Sequence, residues 1–174
     1  MSTDLYAVTV LGHDRPGIIA ATTAGLAELG LNIEDSTMTL LRGQFAMMLL
    51  CRGASETAAI ERALAPLAAA GDLDVAVRPV ADEPTPAAGG SAWVLTVHGG
   101  DRSGIVSAVV AEVAAAGGNI TDLTTRLVGD LYLLVAELDL PAEADVAAVE
   151  DAIRASAERV GVTATLRPAE ADEL

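Results

Sequence analysis

Apolar residues in the first thirty positions follow two different periods. Residues 5–11, Leu-Tyr-Ala-Val-Thr-Val-Leu, form a short β-branched run that predicts a buried strand. The positions that then recur at helical spacing are Ile18, Thr22, Leu26 and Leu29. Gly30 is a typical helix stop. The segment 12–17 is therefore predicted as a loop, and Pro16 is expected at the first position of the helix.

The next fifty residues predict a hairpin, a second helix and a fourth strand. Residues 32–41 and 45–51 are strand-like and are joined across Arg42-Gly43-Gln44. Ser55 is expected to cap a helix that kinks or ends near Pro66. The apolar positions of that helix are Ile60, Leu64 and Leu67, and those of the fourth strand are Leu73, Val75 and Val77, before Arg78-Pro79.

The second half of the chain repeats the same order of elements. The predicted strands are Trp93–His98, Ile120–Val128, Leu131–Leu138 and Val162–Leu166, with a Gly129-Asp130 turn. The predicted helices carry apolar positions at Ile105, Val109 and Val113 and at Val146, Val149, Ile153 and Val160. Most matching positions lie 87 apart, but Arg78 and Arg167 lie 89 apart, so two extra residues are expected near Pro141.

The order β-α-β-β-α-β in each half predicts an α+β fold made of two ferredoxin-like domains. Each would hold a four-stranded antiparallel sheet with two helices on one face, leaving the other face open. We expect domains at 1–80 and 92–168, a Pro- and Gly-rich linker at 81–91 and an acidic tail at 169–174. An open apolar face needs a partner, so we expect half to pack on half or chain on chain. A homodimer is expected, because exposed sheet edges and faces need to be covered.

The loop after the first strand occurs twice, as Gly12-His13-Asp14-Arg15-Pro16-Gly17-Ile18 and as Gly99-Gly100-Asp101-Arg102-Ser103-Gly104-Ile105. A sharp loop that leads into a helix presents backbone N–H groups, which suit a carboxylate. Asp14 and Asp101 offer acceptors for an ammonium group. An amino acid carries both groups. The alternative is that these aspartates are ordinary cap or turn residues.

The composition of the chain disfavours some classes of function and indicates its location. A net charge of −15 disfavours direct binding to nucleic acid. A single cysteine, Cys51, and the absence of a signal-peptide pattern or a ~20-residue apolar run indicate a soluble cytoplasmic protein without a membrane segment.

Catalytic and metal-binding signals are weak. His13 aligns with Gly100 and His98 with Leu11, so the two histidines do not share a role in the repeat. Cys51 and the methionines Met38, Met47 and Met48 are interpreted as core or interface residues. The sequence contains no lysine and no two-His metal spacing. We predict no enzyme activity, no metal and no cofactor. Two roles stay open for Arg15 and Arg102: holding a ligand carboxylate or a partner, or pairing with a nearby acid on the surface, which we expect.

The twin loops, together with Asn32-Ile33 and Asn119-Ile120 at the start of the second strand of each half, resemble ACT domains, which are small amino-acid-binding regulatory modules. The tandem arrangement resembles the glycine cleavage system transcriptional repressor group. The resemblance implies that effectors bind where ACT sheets associate side by side. The family's contacts then fall on Gly12, Asp14 and Asn32 and on Gly99, Asp101 and Asn119. Serine-binding members have His and Asn at the positions of Gly12 and Asp14, where this chain differs.

The residues and the resemblance together define a candidate ligand-binding set. Its members in the first copy are Gly12, His13, Asp14, Gly17, Asn32 and Ile33, and in the second Gly99, Asp101, Gly104, Asn119 and Ile120.

The predicted function is a regulator that senses a small amino acid, such as glycine or serine, and controls a partner protein. Repression in the resembling group acts through a DNA-binding activator protein, without direct DNA contact. The alternative is a ligand-free interaction module or a regulatory subunit of an enzyme of amino-acid metabolism.

Overall fold

The structure is a computed structural model, and it describes residues 4–69, 72–81 and 90–169. The chain divides into two compact units, Met1–Pro84 and Thr85–Leu174, called here the first and second unit. The elements of the first unit are β1 (Asp4–His13), α1 (Ile18–Glu28), β2 (Asn32–Leu41), β3 (Gln44–Gly53), α2 (Thr57–Ala69) and β4 (Leu73–Val80). Those of the second are β5 (Gly90–Gly100), α3 (Ile105–Ala115), β6 (Asn119–Val128), β7 (Leu131–Pro141), α4 (Val146–Arg159) and β8 (Val162–Pro168).

Each unit contains one four-stranded antiparallel sheet. The strand order is β2-β3-β1-β4 in the first unit and β6-β7-β5-β8 in the second. This arrangement, with two helices per sheet, confirms the predicted ferredoxin-like βαββαβ fold. Because the pair β1–β3 and the pair β3–β2 are both antiparallel, β1 and β2 run in the same direction.

Both helices of a unit pack on the same face of its sheet. Alternate residues of the central strand are buried, and they join the apolar residues of both helices in one cluster. In the first unit the cluster includes Val8, Val10, Ile18, Leu26, Ile60 and Leu64; in the second it includes Leu95, Val97, Ile105, Val109, Val149 and Ile153. The predicted helix spacing is thus confirmed, and burial on this face supplies the main stabilisation.

Among the described residues of each unit, no helix packs on the opposite face of the sheet, which is called here the open face. In the first unit Leu11 is 52% exposed and Met48 44%; in the second unit Leu131 is 54% exposed and Leu133 37%. An apolar sheet face of this kind is typical of an interaction surface.

The hairpin turns fall where the sequence predicts them. Arg42 and Gly43 both have positive φ, 49° and 82°, the pattern of a type I′ turn. At the second turn Gly129 has φ 61° and Asp130 has a negative φ, the pattern of a type II′ turn. Both types match the twist of antiparallel strands.

Several predicted details are wrong. β1 runs through Gly12 to His13 and β5 through Gly99 to Gly100, so these residues pair within the sheet and the loop is shorter than 12–17. Pro16 lies in the turn two residues before α1. The Ser55 hydroxyl donates to the Leu29 carbonyl at 3.2 Å, and Glu56, whose carbonyl accepts the first α2 bonds, occupies the cap position.

The later helices and strands end near the positions that the sequence predicts. α2 includes Pro66 and continues to Ala69, within one turn of it. β4 and β8 run through the Arg-Pro pairs. The two extra residues of the second half lie near Pro141, as predicted: one lengthens β7, which ends at Pro141, and the other lies between β7 and α4. Residues 82–89 of the predicted linker and 170–174 of the predicted tail lie outside the described residues. In the described ranges, every helix is too short or too polar to cross a lipid bilayer.

Candidate ligand-binding site

The segment between β1 and α1 is fixed by backbone hydrogen bonds to two other parts of the sheet. The amide of His13 donates to the Asp72 carbonyl at 3.0 Å, and the amide of Asp14 donates to the Gly43 carbonyl at 2.8 Å. In the second unit the amide of Asp101 donates to the Asp130 carbonyl at 3.1 Å. The loop therefore lies beside the β2–β3 or β6–β7 turn, and its first amide is already used.

Gly12 and Gly99 are required by packing. A Cβ on Gly12 would lie 1.8 Å from the Asp72 carbonyl oxygen, and one on Gly99 would lie 2.7 Å from Cγ1 of Val162. Real Cβ atoms do not approach other atoms this closely. The close approach of the next strand explains these two glycines without any ligand.

Gly17 and Gly104 open the helices in the left-handed region, with φ values of 92° and 90°. Nothing lies within 4 Å of a Cβ built on Gly17. A side chain there would meet no clash, but the positive φ itself favours glycine. The two residues therefore shape the turn and leave the space in front of the helix clear.

The helix starts carry free donors. Within the described part of the chain, no side chain caps α1 or α3. The first amides bonded to the cap carbonyl are those of Ala21, to Gly17 at 2.9 Å, and of Ala108, to Gly104 at 3.0 Å. The preceding amides of the first turn point out of the helix and carry the partial positive charge of its N-terminus. This end of each helix suits an anion such as a carboxylate.

Asp14 and Asp101 are exposed beside these helix starts. Neither aspartate caps its helix, since among the described residues no side chain caps α1 or α3. Their carboxylates remain available to accept from a cationic group.

Arg15 and Arg102 reach the end of the second helix of their unit. Arg15 donates to the Leu67 carbonyl of α2 at 3.5 Å, and Arg102 Nη1 lies 2.7 Å from where a Cβ on Gly161, just after α4, would be. A cation near the C-terminus of a helix interacts favourably with its dipole. The expectation that these arginines pair with surface acids is wrong for Arg15, whose described partner is a carbonyl.

Asn32 and Asn119 lie at the other end of the sheet from the loops. Asn32 pairs with Arg52, which pairs with Leu5 near the beginning of β1, whereas His13 at its end pairs with Gln44. Leu5 and Gly12 are seven positions apart, roughly 23 Å along a strand. Asn119 is placed likewise opposite Asp139. One unit therefore brings the loop residues together but does not bring the asparagine to them.

Ile33 and Ile120 are half-buried and pack against the apolar core of their own units. A register shift follows each of them, between Ile33 and Asp35 and between Ile120 and Asp122. The bulge lets the isoleucine face the core while the following aspartate faces the open side. These two isoleucines anchor the start of the strand on the core, and they are less exposed than Asn32.

The two histidines are exposed, whereas two other titratable groups, Tyr6 and Cys51, are buried. His13 is exposed beside the β2–β3 turn, with Cε1 3.6 Å from the Cβ position of Gly43, and His98 lies exposed in β5. Burial, and then the charge of Asp4, raises the pKa of Tyr6, whose hydroxyl donates to the Ser55 carbonyl at 2.5 Å. Burial likewise raises the pKa of the Cys51 thiol. Tyr6 and Cys51 belong to the core.

In the ranges that the structure describes, no group of three or more His, Cys, Asp or Glu side chains is arranged to hold a metal ion.

Comparison with known proteins identifies the class. The ACT domain family matches twice, over residues 5–78 and 92–166, and the chain therefore belongs to the ACT domain family. The glycine cleavage system transcriptional repressor of Escherichia coli K12 is 30% identical over 155 residues, which cover 85% of this chain and 81% of that protein. The protein is thus a tandem ACT protein related to that repressor.

Two solved structures agree with the fold. A protein from Galdieria sulphuraria superposes with a TM-score of 0.82 and 28% identity, covering 97% of this chain and 99% of that one. A crystal structure described as a putative glycine cleavage system transcriptional repressor superposes with a TM-score of 0.68 over 96% and 98% of the two chains. Its 16% identity supports the fold alone.

Proposed function

We propose that this protein is an amino-acid-binding regulator that senses a small amino acid, such as glycine or serine, and thereby controls a partner protein. The observation that carries the proposal is the pairing of an uncapped helix start with an exposed aspartate, present in both units. The relation to a transcriptional repressor supports a regulatory role without catalysis.

The two ends of an amino acid match the two parts of the loop. Its carboxylate would accept from the first-turn amides of α1 or α3, where an anion gains about 0.3–1 kcal/mol at an exposed site. Its ammonium would donate to Asp14 or Asp101 in a charge-assisted hydrogen bond. The short side chain of glycine or serine fits a loop whose helix begins with glycine.

The asparagine of the site would come from a second sheet. β2 is an edge strand that starts at the far end of the sheet and ends beside the loop. If the β2 edges of two chains pair antiparallel, Asn32 of one chain reaches the loop end of the other. This geometry supports a homodimer in which each site combines the Asp14 loop of one chain with Asn32 of its partner.

The controlled partner is proposed to be a protein, either a transcription activator or a metabolic enzyme. The net charge of −15 opposes contact with a phosphate backbone, so repression would act without direct DNA binding. Ligand binding at the edge between sheets would shift the population of two arrangements and so change the surface that the partner meets.

The test is calorimetry of the full chain with glycine, serine and the other amino acids. We expect saturable binding of a small amino acid and a loss of at least about tenfold in affinity for the double variant Asp14→Asn, Asp101→Asn, since a hydrogen bond to a charged group is removed. Glu61→Gln, an acid-to-amide change on the exposed side of α2, is the matched control and should bind as the wild type does. Absence of heat and of a thermal shift with every amino acid would contradict ligand sensing and favour a ligand-free interaction module.

A further inference from the structure

One row of residues crosses the open face of the first unit from edge to edge. Asp35 on β2 pairs with Leu50 on β3, Leu50 with Ala7 on β1, and Ala7 with Arg78 on β4. The row therefore has an acid at one edge of the sheet, two apolar residues in the middle and an arginine at the other edge.

The two charges of this row do not meet within their own sheet. Three strand spacings separate them, about 14 Å. The carboxylate of Asp35 accepts from the amide of Ser36 at 2.8 Å, and among the described residues no hydrogen bond or ion pair to Arg78 occurs. Both charges are exposed and directed to the side from which a partner would approach.

The surface between these charges is largely apolar. The next rows along the strands are Thr37, Met48, Thr9 and Ala76, then Thr39, Ala46, Leu11 and Asp74. A shallow groove of about 420 Å³ runs along the β1, β2 and β3 members of these two rows, among them Thr37, Met48 and Leu11. At the opposite end the face is bounded by the ion pair of Arg52 with Glu34, 2.6 Å long. The face thus has an apolar centre and a polar rim, as protein interfaces do.

We propose that this face binds the same face of a second copy of the chain, with Asp35 of each copy opposite Arg78 of the other. A two-fold axis parallel to the strands, lying between the sheets, reverses their lateral order and places β2 over β4. The row of one copy then lies opposite the row of the other copy in reverse order. Asp35 of each copy faces Arg78 of the other, and Leu50 of each copy faces Ala7 of the other. Sheets packed about 10 Å apart leave room for these side chains, and the contact is self-complementary.

The equivalent row of the second unit suits this contact less well. It reads Asp122, Glu137, Val94 and Arg167, so a glutamate replaces Leu50 in the middle. The same symmetric packing would bury Glu137 against Val94, and a buried carboxylate without a partner is costly. The first unit is therefore the self-docking one.

A two-fold axis perpendicular to the strands would instead place Arg78 opposite Asp74. That alternative would leave Asp35 opposite Thr39, whereas the axis parallel to the strands places Asp35 opposite Arg78. The two arrangements predict different partners for Arg78, so charge reversals separate them.

The experiment measures self-association of the full chain, without amino acids, by sedimentation velocity and native mass spectrometry. Asp35→Arg and Arg78→Asp should each weaken association by about tenfold or more, because two attractive pairs become repulsive. The double variant should restore it. Glu61→Arg, the same charge change on α2, and Asp74→Arg should leave it within about twofold. Pairing through β2 edges would survive in all of them, so the loss appears as a halving of the assembly mass.

Several outcomes would overturn the proposal: a monomeric wild type, an unchanged mass for Asp35→Arg, a double variant that stays dissociated, or dissociation by Asp74→Arg in place of Asp35→Arg. Circular dichroism checks that each variant is folded, and Arg78→Asp provides an independent reading if Asp35→Arg is not. Because no amino acid is present, failure here is distinct from failure of ligand sensing.

Discussion

The two units have one backbone plan but different side chains around the same loop. In both, the amide of the loop aspartate donates to the carbonyl of the hairpin turn, and the helix begins at a left-handed glycine. His13 and Pro16 of the first unit correspond to Gly100 and Ser103 in the second. The two units therefore share the backbone of the candidate site, while the side chains around it differ.

The helix pairs differ in a second way. Leu67 of α2 is buried in the apolar core, whereas its counterpart Ser156 of α4 is buried with a polar network. The Ser156 hydroxyl donates to Glu112 and accepts from Arg159, and Gly25 holds the position of Glu112 in the first unit. The same helix crossing is thus stabilised by apolar contact in one unit and by hydrogen bonds in the other.

The largest expected difference concerns the two strand glycines. Gly12→Ala should destabilise the first unit by about 4 kcal/mol or more, since the new Cβ meets a backbone carbonyl that cannot move without the strand. Gly99→Ala should cost the second unit about 1–2 kcal/mol, because it meets a side chain that can shift. Urea unfolding followed by circular dichroism measures both.

Gly100→Ala serves as the control for the general cost of replacing glycine, since nothing lies within 4 Å of a Cβ built there and its φ is not positive. If Gly12→Ala and Gly99→Ala lower the free energy of unfolding equally, the starts of β4 and β8 move equally easily. The packing explanation would then be wrong.

A smaller difference is expected between the helix pairs. Leu67→Ala should cost about 3 kcal/mol, because it leaves a cavity in an apolar core. Ser156→Ala should cost about 1 kcal/mol, because Glu112 is partly exposed and can turn to water. Denaturant midpoints, compared at an unchanged m-value, measure both losses of stability. Ala58→Gly, at an exposed position of α2, is the reference for the cost of helix propensity. A Ser156→Ala loss as large as that of Leu67→Ala would show that the network cannot relax.

The fold could be predicted from the sequence because burial on one face leaves a period. Val8 and Val10 alternate with Thr9 and Leu11, and Ile18, Thr22 and Leu26 follow a helix, so element type and order were visible. The exceptions lie at element ends. Glycine is common in loops, so the local sequence predicts a loop at Gly12. The residue must be glycine because a neighbouring strand approaches closely, and the local sequence does not show that approach.

The candidate site could be predicted only in part. The loop is local in sequence, so Asp14 and Gly17 were found together. Asn32 was grouped with them by the resemblance, although a β-α-β crossover returns the chain to the end where β1 began and so places Asn32 at the opposite end of the sheet. The role of Arg15 at the α2 terminus depends on tertiary packing and had no sequence signal.

The smallest expected difference between the units is their response to alkaline pH. Tyr6 and Cys51 are buried in the first unit, and the corresponding positions of the second hold Trp93 and Leu138, which do not titrate. Burial raises the pKa of Tyr6 above the ordinary value for a tyrosine and that of Cys51 above the ordinary value for a cysteine. Above those values the unfolded chain releases protons that the folded chain keeps, so the stability of the first unit should fall as the pH rises above about 9.

Trp93 makes this prediction measurable, since it is the only tryptophan of the chain and packs against the core of the second unit. Urea unfolding from about pH 8 to about pH 11 should give a midpoint that falls by circular dichroism before it falls by tryptophan fluorescence. Tyr6→Phe should remove part of that fall, and near about pH 8 it should cost about 1 kcal/mol for the lost bond to Ser55. If fluorescence and circular dichroism shift together in the wild type, the two units do not unfold separately, and the difference in their buried groups has no separate effect on stability.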